Sequence, residues 1–146
     1  MDWPKNILEN DEEIKELLAN TKRIAVLGIK TEAQSAQPAF YVPQYMARAN
    51  FEIVPVPVYY PEASEILGQK VYRSLSDIPG EIDLVNIFRR SDDVAKHTAD
   101  ILAKKPKAVW LQSGIRNDAV AEVLAKAGIK VVQDLCLMVE HRALLR

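Results

Sequence analysis

Lys22-Arg23-Ile24-Ala25-Val26-Leu27-Gly28-Ile29-Lys30 is the stretch on which the fold turns. Ile24 to Leu27 is continuously apolar rather than alternating, the pattern of a strand covered on both faces in a parallel sheet. Each large aliphatic buried there contributes ~1.5–3 kcal/mol, so the run is structural first. Gly28 then closes the strand into a turn. A dinucleotide site asks for G-x-G-x-x-G at this place, and only Gly28 is present. Gly28 therefore reads either as a tight turn or as a turn that touches a ligand.

Working outward, an arm over residues 1–9 precedes a helix opened by Asn10 with Glu13 three residues on, the spacing of a reciprocal cap. Residues 29–37 are small, polar and aperiodic, and make a long loop of the kind that carries function. The helix after it has Pro38 and Pro43 near its start. Prolines are tolerated only in a first turn, so the helix should begin near one of them. Strand two, Phe51 to Pro57, contains Pro55 and Pro57 and should lie toward an edge or bend at its end. The loop Val58–Pro61 leaves it, and a mixed connector from Glu65 to Gly80 holds a short strand segment at Val71-Tyr72 and a turn of helix at Ser76-Asp77. Strand three is Ile82–Phe88, followed by a helix capped by Ser91. Strand four is Ala108–Leu111, followed by a helix capped by Asn117, and strand five is Ile129–Val132 before a last short helix. This alternation predicts an α/β fold: a single-domain, Rossmann-like, doubly wound parallel five-stranded sheet of order 3-2-1-4-5. The division expected is an arm at 1–9 and one domain at 10–146.

The totals narrow the partners. The chain has 146 residues, enough for one domain with a full core, and a formal net charge of −1. Nucleic acid needs a clustered basic excess, which is missing. One cysteine, Cys136, rules out an internal disulfide. No basic segment leads into an apolar one at the N-terminus, and no apolar run approaches the ~20 residues that span a membrane. The expected location is the cytoplasm, without membrane or nucleic-acid partners.

In a doubly wound sheet ligands gather at the carboxyl ends of the strands. Those ends are Gly28-Ile29-Lys30, Pro57-Val58-Tyr59, Phe88-Arg89-Arg90, Gln112-Ser113-Gly114 and Asp134-Leu135-Cys136. The helix N-terminus at Pro38 adds an anion site. Arg89 and Arg90 suit a polyphosphate, or equally a solvated loop pair with Asp92 or Asp93. Gln112-Ser113-Gly114 reads as a ligand amide contact or as a plain turn. His97 falls on the core edge of its helix, and His141 reads as a surface residue or a helix cap on the last one. Cys136 has no cationic neighbour in sequence and reads as inert. No metal set, P-loop or nucleophile elbow occurs, so catalytic and metal residues are none, and binding is better supported than chemistry. Strand two also ends without the carboxylate that would hold an NAD ribose, which demotes NAD(P).

Several segments occur together in order: Ile24–Gly28, Ile53–Pro57, Ile66-Leu67-Gly68, Ser76–Pro79, Ile82–Val85, Val109–Gly114, Gly128–Val132 and Asp134–His141. Over about residues 10–145 the chain resembles the small stand-alone CoA-binding proteins, which are similar to the N-terminal CoA-binding domain of the succinyl-CoA synthetase α subunit. The resemblance implies CoA or acyl-CoA held at Gly28, Ile29 and Lys30, at Pro57 and Val58, at Phe88 and Arg89, and at Gln112 and Gly114. It implies no synthetase activity, because the phosphorylated histidine of that ligase belongs to a domain absent here. Pro38, Tyr59 and Ser113 join the candidate set by position, with Tyr59 or Tyr60 placed to stack on adenine. Three departures from the family stand out. Ile29 is the bulkier residue beside the phosphate turn, Val58-Tyr59-Tyr60 brings no cation after strand two, and Leu135 replaces an arginine. An NAD(P)-responsive sensor or interaction protein is the alternative, and a thioester enzyme using Cys136 a third reading. The arm and Val71-Tyr72 could serve a homodimer.

Overall fold

The computed structural model describes residues 2–145, and in it the opening stretch forms strand β1 (Arg23–Leu27) in the interior of a five-stranded parallel sheet. Its side chains explain the unbroken apolar run. Ile24 and Val26 enter the core on one face, and Ala25 and Leu27 enter the core on the other. The remaining main strands are β2 (Glu52–Val56), β5 (Leu84–Ile87), β6 (Ala108–Leu111) and β7 (Lys130–Val132). Strands β3 (Glu65–Ile66) and β4 (Gln69–Lys70) form a separate antiparallel hairpin. Helices α1 (Asp11–Ala19), α2 (Pro38–Arg48) and α5 (Leu137–Leu144) cover the face of Ile24, while α3 (Thr98–Lys104) and α4 (Asp118–Lys126) cover the face of Ala25. The doubly wound α/β fold is as expected.

The strand order is not. The sheet runs β2-β1-β5-β6-β7, which counted along the five main strands is 2-1-3-4-5 rather than 3-2-1-4-5. Strand β1 pairs with β2 on one side, Val26 opposite Pro55, and with β5 on the other, Val26 opposite Asn86. Proline supplies the physical reason. The Pro55 carbonyl faces outward and accepts from the Tyr72 N–H at 3.0 Å, so its missing donor also faces outward, where no strand follows. Had strand three lain beyond strand two, that gap would have broken a ladder. The edge reading of the prolines was therefore right, and it excludes the internal position assigned to the same strand.

Other local expectations divide. Asn10 caps α1 by accepting from the Glu13 N–H at 2.9 Å, and the Glu13 carboxylate accepts from Asn10 Nδ2 at 2.7 Å rather than from the Asn10 backbone, so the cap is made on one side only. Asn117 caps α4 through the Val120 N–H at 3.1 Å. Ser91 caps nothing: residues Ser91–His97 form a 3-10 helix ahead of α3, and the Ser91 hydroxyl instead accepts from the Arg116 N–H at 3.0 Å. Val71-Tyr72 is not a strand, although Tyr72 closes the outer edge of β2 as described, and the turn near Ser76 is a 3-10 helix at Leu75–Asp77. The N-terminal arm lies on the far edge of the sheet. Ile7 bridges to Val131, the Leu8 N–H donates to the Val131 carbonyl at 2.8 Å, and the Leu8 side chain is buried.

Candidate functional site

The order 2-1-3-4-5 has its reversal between β1 and β5, since the helix after β1 lies on one face and the helix after β5 on the other. A crevice is expected outside the carboxyl ends at that point. One is there, a cleft of about 470 Å³ with walls from the exits of β1, β2, β5 and β6. That volume lies within the range of small-molecule sites. At the opposite ends of the strands a smaller depression of about 290 Å³ surrounds Asp83. The carboxylate there takes the Lys22 and Arg23 N–H groups and pairs with Lys107 at 3.3 Å, which is a structural role.

The first wall follows Gly28, whose φ is +90°. A Cβ on Gly28 would lie 2.2 Å from the Phe88 carbonyl oxygen, so glycine is required there by contact between two strand exits within the chain. Ile29 turns into the core at 1% exposure, and its bulk does not stand in the cleft. Lys30 does line the cleft, and its ammonium donates to the Gln37 side-chain carbonyl. The loop beyond is ordered. Thr31 and Gln34 close a capping box around a 3-10 turn, and Glu32 accepts from the Leu67 N–H at 2.9 Å. Proline again explains the anchor. Pro43 cannot donate to the Ala39 carbonyl four residues back, and the Lys30 N–H takes that acceptor at 3.1 Å. Helix α2 begins at Pro38, with no side-chain cap from Gln37, and presents its first turn to the cleft through Pro38 and Ala39.

The second wall is cationic. Arg89 lies mostly buried, its Nε donating to His97 Nε2 at 3.1 Å and one terminal nitrogen 3.5 Å from the Tyr59 hydroxyl. Its guanidinium carbon sits 5.8 Å from the Tyr59 ring centre, a cation–π arrangement. Burial, and then the neighbouring Arg89 charge, push the His97 pKa below its ordinary value, which keeps the ring neutral and able to accept. Asp93, the one carboxylate of the lining, pairs with Lys96 at 2.9 Å and approaches Arg89 at 3.9 Å. Its pKa is lowered, first by the Lys96 hydrogen bond. Lys30, Arg89 and Arg90 thus outnumber one paired acid, a balance suited to an anion. A cation also serves the β2 exit from a distance: Arg73 binds the carbonyls of Tyr59, Tyr60, Pro61 and Ala63 at 2.8–3.3 Å. No local signal near Tyr59 could have revealed it.

The third wall is the β6 exit. Gln112 is 4% exposed, and its side-chain oxygen accepts from Asn86 Nδ2 and from the Leu137 N–H, both at 3.2 Å. The Gly114 N–H is held by Asp134 at 2.6 Å. Of the residues expected at the site, the cleft unites Lys30, Pro38, Tyr59, Phe88, Arg89, Gln112 and Ser113. Gly28, Ile29, Pro57, Val58 and Gly114 are outside its lining, although Gly28 shapes it from behind. Gln37, Ala39 and Ile115 line it without having been expected. Tyr60 is also outside the lining. His141 is half-buried rather than at the surface, its Nδ1 2.8 Å from the Tyr45 hydroxyl. Cys136 is half-buried where α5 begins. Among the described residues no group of three His, Cys, Asp or Glu is placed to hold a metal, and no helix is long and apolar enough to cross a membrane.

The match to a family model decides what kind of protein this is: residues 22–142 fit the CoA binding domain. The chain belongs to the CoA-binding domain family. Uncharacterized protein YneT of Bacillus subtilis (strain 168) is 37% identical over 129 residues, 88% of this chain and 92% of that protein. The Thermus thermophilus protein designated cell-free ID.343 is 38% identical with a TM-score of 0.85, covering 94% of this chain and 100% of its own. A hypothetical protein from Pyrococcus horikoshii OT3 is 30% identical at a TM-score of 0.84, covering 94% of each chain. A dinucleotide-forming acetyl-coenzyme A synthetase from Ca. Korarchaeum cryptofilum shares the fold at a TM-score of 0.65 and 22% identity, over 80% of this chain and 26% of its own length. The cleft of this CoA-binding domain is a single-glycine one, shaped by Gly28 against Phe88 and by the Pro43–Lys30 anchor in place of a glycine-rich turn.

Proposed function

We propose that this chain is a cytoplasmic CoA- or acyl-CoA-binding protein without synthetase activity of its own, with the ligand in the cleft between the β1 and β5 exits. One observation carries the reading: Lys30, Arg89 and Arg90 face a cleft whose single acid is already paired, at the first turn of α2. Guanidinium groups make bidentate contact with phosphate oxygens, and the amide end of a helix favours an anion. Tyr59, at 64% exposure and over Arg89, offers a stacking surface for adenine. Arg73 puts positive charge at the β2 exit, where the local sequence has none. Family membership supports a CoA role in general. The adenosine and phosphate contacts assigned to these residues are this proposal's own.

Calorimetric titration with CoA, dephospho-CoA and NAD(H) in parallel tests the reading. CoA and dephospho-CoA should both bind, NAD(H) should bind weakly or not at all, and Arg89→Ala should weaken CoA at least about tenfold. No heat with either CoA species at about millimolar ligand sinks the proposal. Heat with NAD(H) alone establishes the sensor reading instead.

A further inference from the structure

Asn86 occupies the middle of the sheet at 0% exposure, with an apolar strand on each side of it. A polar amide at such a place must be hydrogen bonded in a defined direction. Its Nδ2 reaches the Trp110 carbonyl at 3.4 Å and Gln112 Oε1 at 3.2 Å. Gln112 Oε1 also receives the Leu137 N–H, the first amide of α5, which Cys136 does not cap. Two donors therefore converge on the same oxygen of Gln112, and the amide cannot turn over without losing both. Gln112 Nε2 makes no hydrogen bond among the described residues, and it is not one of their enclosed, unpartnered polar atoms; Asn86 Oδ1 is the sole such atom. The nitrogen is therefore not fully enclosed, and the open space that Gln112 lines is the cleft.

We infer that Gln112 presents a fixed hydrogen-bond donor to the ligand and that Asn86, which does not itself reach the cleft, sets this polarity. Asn86 is a positioning residue. It makes the β6 wall select a ligand oxygen, from an amide carbonyl, hydroxyl or phosphate, and reject a donor at that point. The inference rests on the CoA reading for the identity of the ligand, while the direction of the amide stands without it. Nothing in the sequence marked Asn86, because one polar residue within Leu84–Ile87 is indistinguishable from a tolerated core polar group.

Side-chain amide hydrogen exchange and CoA titration of the whole chain test both halves. In the free protein the Asn86 NH2 should be protected and the Gln112 NH2 should exchange freely. Saturating CoA should protect the Gln112 NH2 and leave Asn86 unchanged. Gln112→Glu keeps the accepting oxygen and replaces the donor with a second acceptor, so CoA should bind at least about tenfold more weakly. Asn86→Leu removes one of the two donors on that oxygen and leaves only the Leu137 N–H to hold the amide, so CoA should bind about threefold more weakly. Should either variant fold poorly by circular dichroism, the exchange pattern of the unmodified chain still decides. A Gln112 NH2 protected before ligand is added, or one unaffected by bound CoA, overturns the inference, as does Gln112→Glu binding CoA within about twofold of the parent. In each of those cases the CoA reading survives if heat is still seen. An absence of CoA binding by the parent chain instead overturns that reading and the assignment of the donor to CoA, while free exchange at Gln112 still upholds the amide's direction.

Discussion

Gly28 shows how one residue can be read correctly in place and differently in cause. Its position after a buried strand marked a turn facing the crevice, and the turn is there. What requires glycine is the Phe88 carbonyl, 2.2 Å from where a Cβ would sit, together with a φ of +90°. Gly28→Ala should therefore destabilise the protein by about 1–3 kcal/mol through backbone conformation alone, with more from displacement of the β5 exit. Because that exit carries Arg89, CoA affinity should fall in the same variant. Urea unfolding followed by circular dichroism checks the first effect, and a midpoint unchanged from the parent would refute the steric account. Ile29 teaches the converse lesson. A bulky residue beside a phosphate turn suggested crowding, yet its side chain packs into the core with Ile24 and Val26, and the residue stays out of the cleft lining.

At the scale of elements, most of the architecture was legible because burial leaves periodic marks. The sequence marks the main strands at about 23–28, Phe51–Pro57, Ile82–Phe88, Ala108–Leu111 and Ile129–Val132, and the observed strands fall within those runs. Strand order was not legible in the same way. The 57–83 connector has no α-helix to mark a crossover, only the short 3-10 turn at Leu75–Asp77, and only Pro55 recorded which side of the strand was free. The loop after β1 looked structureless because its anchors are non-periodic: a proline's orphaned carbonyl at Ala39, a capping box, and Glu32 on Leu67. Half of the candidate site followed from the crevice rule alone, whereas Arg73, Asn86 and His97 act through partners distant in sequence. The sequence marks the first nine residues as an arm, and that arm extends the β7 edge through Ile7 and Leu8. Leu8→Ala should cost about 2–5 kcal/mol, since the side chain is 4% exposed. Loss of the covering segment should also bare the β7 edge and promote self-association. Chemical denaturation and light scattering measure the two effects; a cost below about 1 kcal/mol means the arm only rests on the sheet.

For the molecule as a whole, the titrating groups set a stability profile with a defined shape. The folded-state pKa of His97 is depressed by burial and then by Arg89. The unfolded chain therefore binds the extra proton first, and stability falls as pH drops below 6.5 toward the folded value. Asp100 faces burial that would raise its pKa, outweighed by hydrogen bonds from Leu75, Ser76 and Ser74, so its folded pKa is lowered. Asp83 is lowered likewise: burial opposes, and the Arg23 and Lys22 amides and Lys107 prevail. Both carboxylates contribute stability that is present above 3.8 and lost as pH falls from there through their folded values. Glu140 works in the other direction. Burial first, and then Asp11, raise its pKa, so its protonation stabilises the fold as pH falls toward 4.5. The profile should thus decline in two stages, one below 6.5 and a steeper one below 3.8, separated by a shallower interval. His97→Gln should flatten the first stage while leaving the second. Asp100→Asn should cost about 1.5–3 kcal/mol at neutral pH, because the carboxylate holds the Ser74–Ser76 turn against α3, and should reduce the second stage. Melting temperatures by circular dichroism at about pH 7.5, 5.5, 4.5 and 3 resolve the stages. If His97→Gln declines below neutrality as steeply as the parent, the Arg89–His97 bond is not what couples this fold to protons.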